Sequence, residues 1–185
     1  MKKEQDRSAI YLIGYRASGK TSAGRAVASE LSRLFVDTDR LVEESEGRAI
    51  ASIFAESGEP VFRRLESEAL AAVGTRVLEG ERLVVATGGG IVLSRENVER
   101  MSSTGYVVWL RAPAPVLQDR IERDPASART RPALSGESAV AEVAEVLERR
   151  YPLYEAAADC VVDTGDLDEE QVCGAVLEAI TELPK

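Results

Sequence analysis

The stretch that decides the fold is GYRASGKT, residues 14–21, entered from the apolar run AIYLI, residues 9–13. Two glycines, a lysine and a threonine stand in the order G-x-x-x-x-G-K-T. Backbone N–H groups of such a loop turn inward onto phosphate oxygens, and the helix that follows adds its positive end. Gly14 and Gly19 permit a tight wrap that side chains would obstruct. Lys20 brings a cation to the β- and γ-phosphates, and Thr21 is a ligand for Mg²⁺. From Thr21 to Ser32, the positions Ala23, Val27 and Leu31 form one apolar stripe, which predicts an amphipathic helix. A strand before and a helix after are the context this motif requires, so the chain is expected to bind a nucleoside triphosphate. The motif alone does not separate a kinase from a GTPase, a motor or a regulator.

Further along, LFV (34–36), LVVAT (83–87), YVVWL (106–110) and CVV (160–162) read as buried parallel strands. Helical patterns separate them. Phe62, Leu65, Ala69 and Val73 share a face between Glu59 and Val73; Val140, Val143, Leu147 and Tyr151 do so between Val140 and Tyr151. This alternation predicts an α/β fold with crossover connections, its ligands beyond the carboxyl ends of the strands. ERDPASARTRPALSGES, residues 122–138, breaks the rhythm. A long polar segment inside a compact domain suggests a lid, and a variable surface loop is the plainer alternative.

The 185 residues are expected to form one domain, 1–185, without disulfide staples. The net charge of −9 argues against a general nucleic-acid footprint, although it leaves room for a local basic pocket. With no histidine, a histidine base or histidine-ligated metal is excluded. Cys160 and Cys173 match no zinc spacing and read as small core residues. The charged start MKKEQDRS precedes too short an apolar run for a signal peptide or a membrane span, so a cytoplasmic protein without a membrane partner is expected.

Three further clusters bear on the phosphate acceptor. In VDTD (36–39), Asp37 and Asp39 point the same way if the chain is extended. One carboxylate then suits Mg²⁺ or its waters, and the other suits an attacking hydroxyl. Alternatively, Asp39 caps a helix beginning at Arg40. In GEPVFRRLE (58–66), Arg63 can grip a carboxylate through paired hydrogen bonds, or it can form a surface pair with Glu66. In ATGGGIV (86–92), three consecutive glycines allow close backbone approach to a ligand, against the reading of a plain turn.

Taken in order, GYRASGKT, DTD, GEPVFRRLE, GGG, RTRP and RRYPLY resemble shikimate kinase, from about residue 10 to residue 165. The resemblance implies a nucleoside-monophosphate-kinase-like fold with a five-stranded parallel sheet in the order 2-3-1-4-5. It implies ATP-dependent phosphorylation of the shikimate 3-hydroxyl, in aromatic amino acid biosynthesis, by a monomer. By the same resemblance, Gly14, Ala17, Ser18, Gly19, Lys20, Thr21 and Ser22 hold ATP, and Thr21 and Asp37 hold Mg²⁺. Asp39 binds shikimate and is the candidate base, with Lys20 and Arg131 as the other catalytic residues. Arg63 and Arg150 clasp the carboxylate, and Gly88, Gly89 and Gly90 line the pocket with N–H groups available to it. Arg131 closes over the phosphate from the lid, and Arg120 stacks on adenine. The physics agrees. A small anion needs a cationic clamp, and phosphoryl transfer needs positioning and charge neutralisation.

Three departures from the family pattern stand out. Ala17 replaces a frequent glycine, which is tolerable if its φ is negative. The lid is long and contains Asp124 and Pro125, which makes Arg123 a rival to Arg120. RPAL has alanine where a bulkier residue is common. Gluconate kinase, a nucleoside-monophosphate kinase and a non-catalytic sensing module are the alternatives. For the first, the discriminators are Asp39 and the Arg63/Arg150 pair; gluconate is also a hydroxylated carboxylate, so charge does not exclude it and only the motif set disfavours it. GGG with DTD disfavours the second. Retention of Lys20, Asp39 and Arg131 disfavours the third.

Overall fold

A computed structural model describes residues 8–123 and 141–183. Five strands, β1 (Ala9–Ile13), β2 (Leu34–Asp37), β3 (Leu83–Ala86), β4 (Gly105–Arg111) and β5 (Cys160–Asp163), form one sheet in the order β2-β3-β1-β4-β5. All neighbouring pairs are parallel. Seven α-helices fall among the described residues: α1 (Lys20–Glu30), α2 (Thr38–Glu46), α3 (Ile50–Leu78), α4 (Arg95–Thr104), α5 (Ala114–Arg123), α6 (Ala141–Ala157) and α7 (Glu169–Thr181). None of the described helices is long and apolar enough to cross a membrane.

The apolar strand runs are continuous because helices cover both faces of the sheet. Ala9, Tyr11 and Ile13 pack with Leu70, Val73 and Val77 of α3, Met101 of α4 and Tyr154 of α6. Their neighbours Ile10 and Leu12 face Ala23 and Val27 of α1 and Val172 and Val176 of α7. Every residue of β1 is at most 2% exposed, so each large apolar side chain there contributes about 1.5–3 kcal/mol. Cys160 and Cys173 are free thiols; Cys160 is half-buried, and burial and the charge of Asp159 raise its pKa to about 11.

Helix α3 extends the predicted Glu59–Val73 segment at both ends and is interrupted at Gly58 (φ 78°, ψ 170°). Its apolar face serves two cores. Phe62 and Leu65 pack with Val42, Ile50 and Ile53, whereas Leu70 and Val73 pack on the sheet. In α6, Val143 and Leu147 are buried as the pattern predicts; Val140 lies outside the described residues.

Because β3 and β4 flank β1, the chain leaves the sheet in opposite directions around the carboxyl end of β1. That crevice is where such sheets bind ligands, and GYRASGKT begins there. The corner is tied down by backbone. Thr87 N–H donates to the Leu12 carbonyl at 3.2 Å, and Gly88 N–H donates to Thr38 Oγ1 at 3.2 Å. The ends of β1, β2 and β3 are thereby held in one place.

Candidate active site

Gly14 has φ +142° and Gly19 has φ +91°. A side chain at Gly14 would also run into the carbonyl of Leu110. Helix α1 starts from Gly19 with no side-chain cap and no acid in its first turn, so its positive end suits an anion. Lys20 Nζ donates to the carbonyls of Gly14 (2.9 Å) and Tyr15 (2.7 Å), which curls the loop around its own cation. The expectation for Ala17 is corrected. Its φ is +61°, a left-handed conformation that costs an L-residue about 1–2 kcal/mol.

The acidic pair also differs from expectation. Strand β2 ends at Asp37 and α2 begins at Thr38, so Asp39 lies in a first helical turn and the period-two argument does not apply. Asp37, not Asp39, is the cap. Its Oδ1 accepts the N–H groups of Asp39 (3.0 Å) and Arg40 (3.4 Å). Its Oδ2 accepts the Thr21 hydroxyl at 3.0 Å. A hydroxyl and a carboxylate side by side fit Mg²⁺, which is usually held by one or two protein oxygens together with substrate phosphates and water.

Arg63 pairs with Glu66 (2.8 Å) and with Glu59 (2.9 Å). The pair with Glu66 is not on the surface as the plainer sequence reading had it. Glu66 is 1% exposed and Arg63 23%. Burial disfavours the arginine's charge, but Glu66 and Glu59 outweigh that and raise its pKa. The guanidinium packs on Gly90, where a β-carbon would collide with it. Arg150 Nη1 donates to the Gly89 carbonyl at 3.2 Å. Both arginines of the expected clamp therefore touch the buried glycine run, which faces the phosphate loop: a β-carbon at Gly89 would lie 3.4 Å from the Gly14 carbonyl oxygen. The N–H of Gly88 is not available to a ligand as expected, since it is bound to Thr38.

Arg120 reaches the loop from α5. It donates to the carbonyls of Thr164 (2.6 Å) and Ala17 (3.4 Å). It helps line a cleft of about 420 Å³ with Gly19, Ser22, Leu167 and Val172, between α1 and α7. Its rival Arg123 is 78% exposed and pairs with Asp119. Residues 124–138 of the expected lid, Arg131 among them, lie outside the described residues.

Sequence reasoning missed Thr38, Thr164 and Tyr154 as supports of the site. The Tyr154 hydroxyl donates to the Gly89 carbonyl at 2.5 Å. RRYPLY held the signal, because Arg150 and Tyr154 are four apart on a helix and share a face.

The shikimate kinase family model matches residues 16–181. A shikimate kinase of Syntrophus aciditrophicus is 39% identical over 94% of this chain and 91% of its own length. One from Symbiobacterium thermophilum is 41% identical over 94% and 96%. Among solved structures, shikimate kinase from Acinetobacter baumannii in complex with shikimate superposes with a TM-score of 0.85 at 32% identity, covering 95% of both chains. A gluconokinase from Sinorhizobium meliloti reaches a TM-score of 0.58 at 18% identity over 95% of this chain and 92% of its own, a likeness of fold alone.

Proposed function

The chain belongs to the shikimate kinase family, and from that premise we propose how its residues divide the work of transferring the γ-phosphoryl group of ATP to the 3-hydroxyl of shikimate. The reaction yields shikimate 3-phosphate and ADP, a step of aromatic amino acid biosynthesis. The observation that carries the division is the meeting of Arg63 and Arg150 on Gly90 and Gly89, beside the phosphate loop.

Arg63 and Arg150 grip the shikimate carboxylate. A guanidinium presents paired donors, which orients a planar anion as well as neutralising it. Gly89 and Gly90 give the ring a wall without side chains. Asp39 orients the 3-hydroxyl and accepts its proton as the oxygen attacks the γ-phosphorus and the β,γ-bridging bond breaks. Residues Gly14 to Ser22 hold the phosphates through the loop, with Lys20 exchanging its carbonyl partners for phosphate oxygens. Arg120 takes the adenine side of the cleft, and Arg131 brings a further cation to the transferring group. Thr21 and Asp37 would hold Mg²⁺, which supplies charge neutralisation when bound. The same proposal has one domain over residues 1–185, acting as a cytoplasmic monomer without nucleic-acid or membrane partners.

The test is ADP release from Mg-ATP with shikimate, gluconate, a nucleoside monophosphate or no acceptor. Stimulation by shikimate alone is expected. Stimulation by gluconate instead would keep the kinase chemistry and overturn the assigned pocket. ATP binding without stimulation by any acceptor would favour a sensing role.

A further inference from the structure

We propose that Tyr154 is a positioning residue of the acceptor site: its hydroxyl holds the Gly89 carbonyl so that the Arg150 guanidinium can release it and turn to the substrate carboxylate. This rests on the reading of Arg150 given above. The Gly89 carbonyl accepts two donors, Tyr154 Oη at 2.5 Å and Arg150 Nη1 at 3.2 Å. Gly89 is buried, and a buried carbonyl stripped of its donors is costly. Were Arg150 the only donor, each swing of its guanidinium toward substrate would strand that carbonyl. The free state would then compete with shikimate for the arginine.

The two donors differ in the way this division needs. Tyr154 is fully buried, and its ring stacks on Trp109 with centroids 5.6 Å apart, so its hydroxyl has one place to be. Arg150 is half-buried, on a long side chain, and its bond to Gly89 is the longer one.

The experiment is a double-mutant cycle on shikimate and ATP kinetics with wild type, Tyr154→Phe, Arg150→Ala and the double variant. Tyr154→Phe keeps the ring and its stack on Trp109, and the ATP KM reports separately that the protein is folded. Alone, it is expected to raise the shikimate KM about tenfold, with kcat and the ATP KM within about twofold. In the Arg150→Ala background the same change is expected to leave the shikimate KM within about twofold, because no arginine remains to be released. An equal rise in both backgrounds would make Tyr154 a plain scaffold and overturn the proposal, as would no rise in either. If Arg150→Ala leaves the shikimate KM unchanged, the carboxylate grip itself fails, and the proposal fails with it.

Discussion

The hydroxyl of Thr21 donates to Asp37 Oδ2 at 3.0 Å, joining the first turn of α1 to the last residue of β2. The other oxygen of the same carboxylate caps α2. One side chain therefore carries a structural cap on Oδ1 and faces the first turn of α1 with Oδ2, so its capping role and the metal role proposed for it can be separated. Asparagine caps as well as aspartate, but without the charge. Asp37→Asn is expected to melt like wild type while kcat with Mg-ATP falls about 10²-fold. Asp37→Ala should lose the same activity and also about 1 kcal/mol of stability, seen as a melting point lower by about 2–4 °C. Full activity in Asp37→Asn would remove Asp37 from the reaction.

Ala17 bears its strain at φ +61°. Glycine relieves it, at the cost of a more disordered unfolded chain. Ala17→Gly is expected to gain up to about 1 kcal/mol, raising the melting point by about 2–4 °C. Ala17→Val, β-branched in the same conformation, should lower both the melting point and ATP affinity. A fall in stability with glycine would refute the strain argument.

Gly90 has an ordinary φ of −103°, so alanine is not strained there by backbone. Its β-carbon would collide with the Arg63 guanidinium, the movable end of a long side chain. Gly90→Ala should thus displace the arginine and leave the fold intact. We expect kcat/KM for shikimate to drop about 10–100-fold with the ATP KM unchanged. Equal losses for both substrates would show that the arginine does not serve the acceptor.

Arg63→Ala removes an ion-pair partner from Glu66, which is 1% exposed. The expected cost is about 3 kcal/mol of unfolding free energy in denaturant titrations, together with weakened shikimate binding. Adding Glu66→Gln removes the buried charge that the arginine balanced. It should recover most of the stability and none of the shikimate affinity. Recovery of both would mean that Arg63 acts only through the fold.

Arg111 donates two hydrogen bonds to Asp163, at 2.5 and 2.7 Å, between the ends of β4 and β5. They hold the Asp163 carboxyl below its ordinary pKa. A depressed folded-state pKa stabilises the protein fully above the unfolded value, near 4, and that contribution is lost as pH falls through the folded value. Asp163 is 67% exposed, so the effect stays within about 0–1 kcal/mol. The melting points of wild type and Asp163→Asn should differ at pH 7, and the gap should narrow progressively as pH falls below about 4. A gap that does not narrow in acid would rule out the ionised pair as its source.

The inner strands β1, β3 and β4 were legible because a strand buried on both faces must be apolar throughout, whereas the edge strands β2 and β5, partly exposed, were legible as short apolar runs between polar residues. The phosphate loop was legible because Gly14, Lys20 and Thr21 each answer a separate physical demand. What the sequence hid was local competition. Thr38 and Asp39 continue an extended run on paper, but the Asp37 carboxylate draws in two backbone N–H groups and turns the chain into a helix. Arg63 seemed to choose between an ion pair and a ligand. Burial of Glu66 permits both, since the pair holds the guanidinium on Gly90. The sign of φ at Ala17 was illegible because a loop closed through its own carbonyls dictates it, not the residue's preference. Thr164 holds Arg120 through its own main-chain carbonyl, a partnership that no spacing in the chain announces, whereas Tyr154 shares the helix face of Arg150 in RRYPLY.

At Gly89 a β-carbon would meet the main chain of Gly14, Tyr15 and Arg16 at ordinary contact distance, 3.4 Å from the Gly14 carbonyl oxygen. The glycine run and the phosphate loop are thus parted there by little more than the width of a methyl group. In the roles proposed above, the spacing of phosphoryl donor and acceptor would be a ruler cut in peptide units. Variation at Arg63, Arg150 or Arg120 would then alter how firmly a substrate is grasped and leave that ruler unchanged. Sequence drift around the pocket would be free to retune affinity without throwing the two reactants out of range of each other.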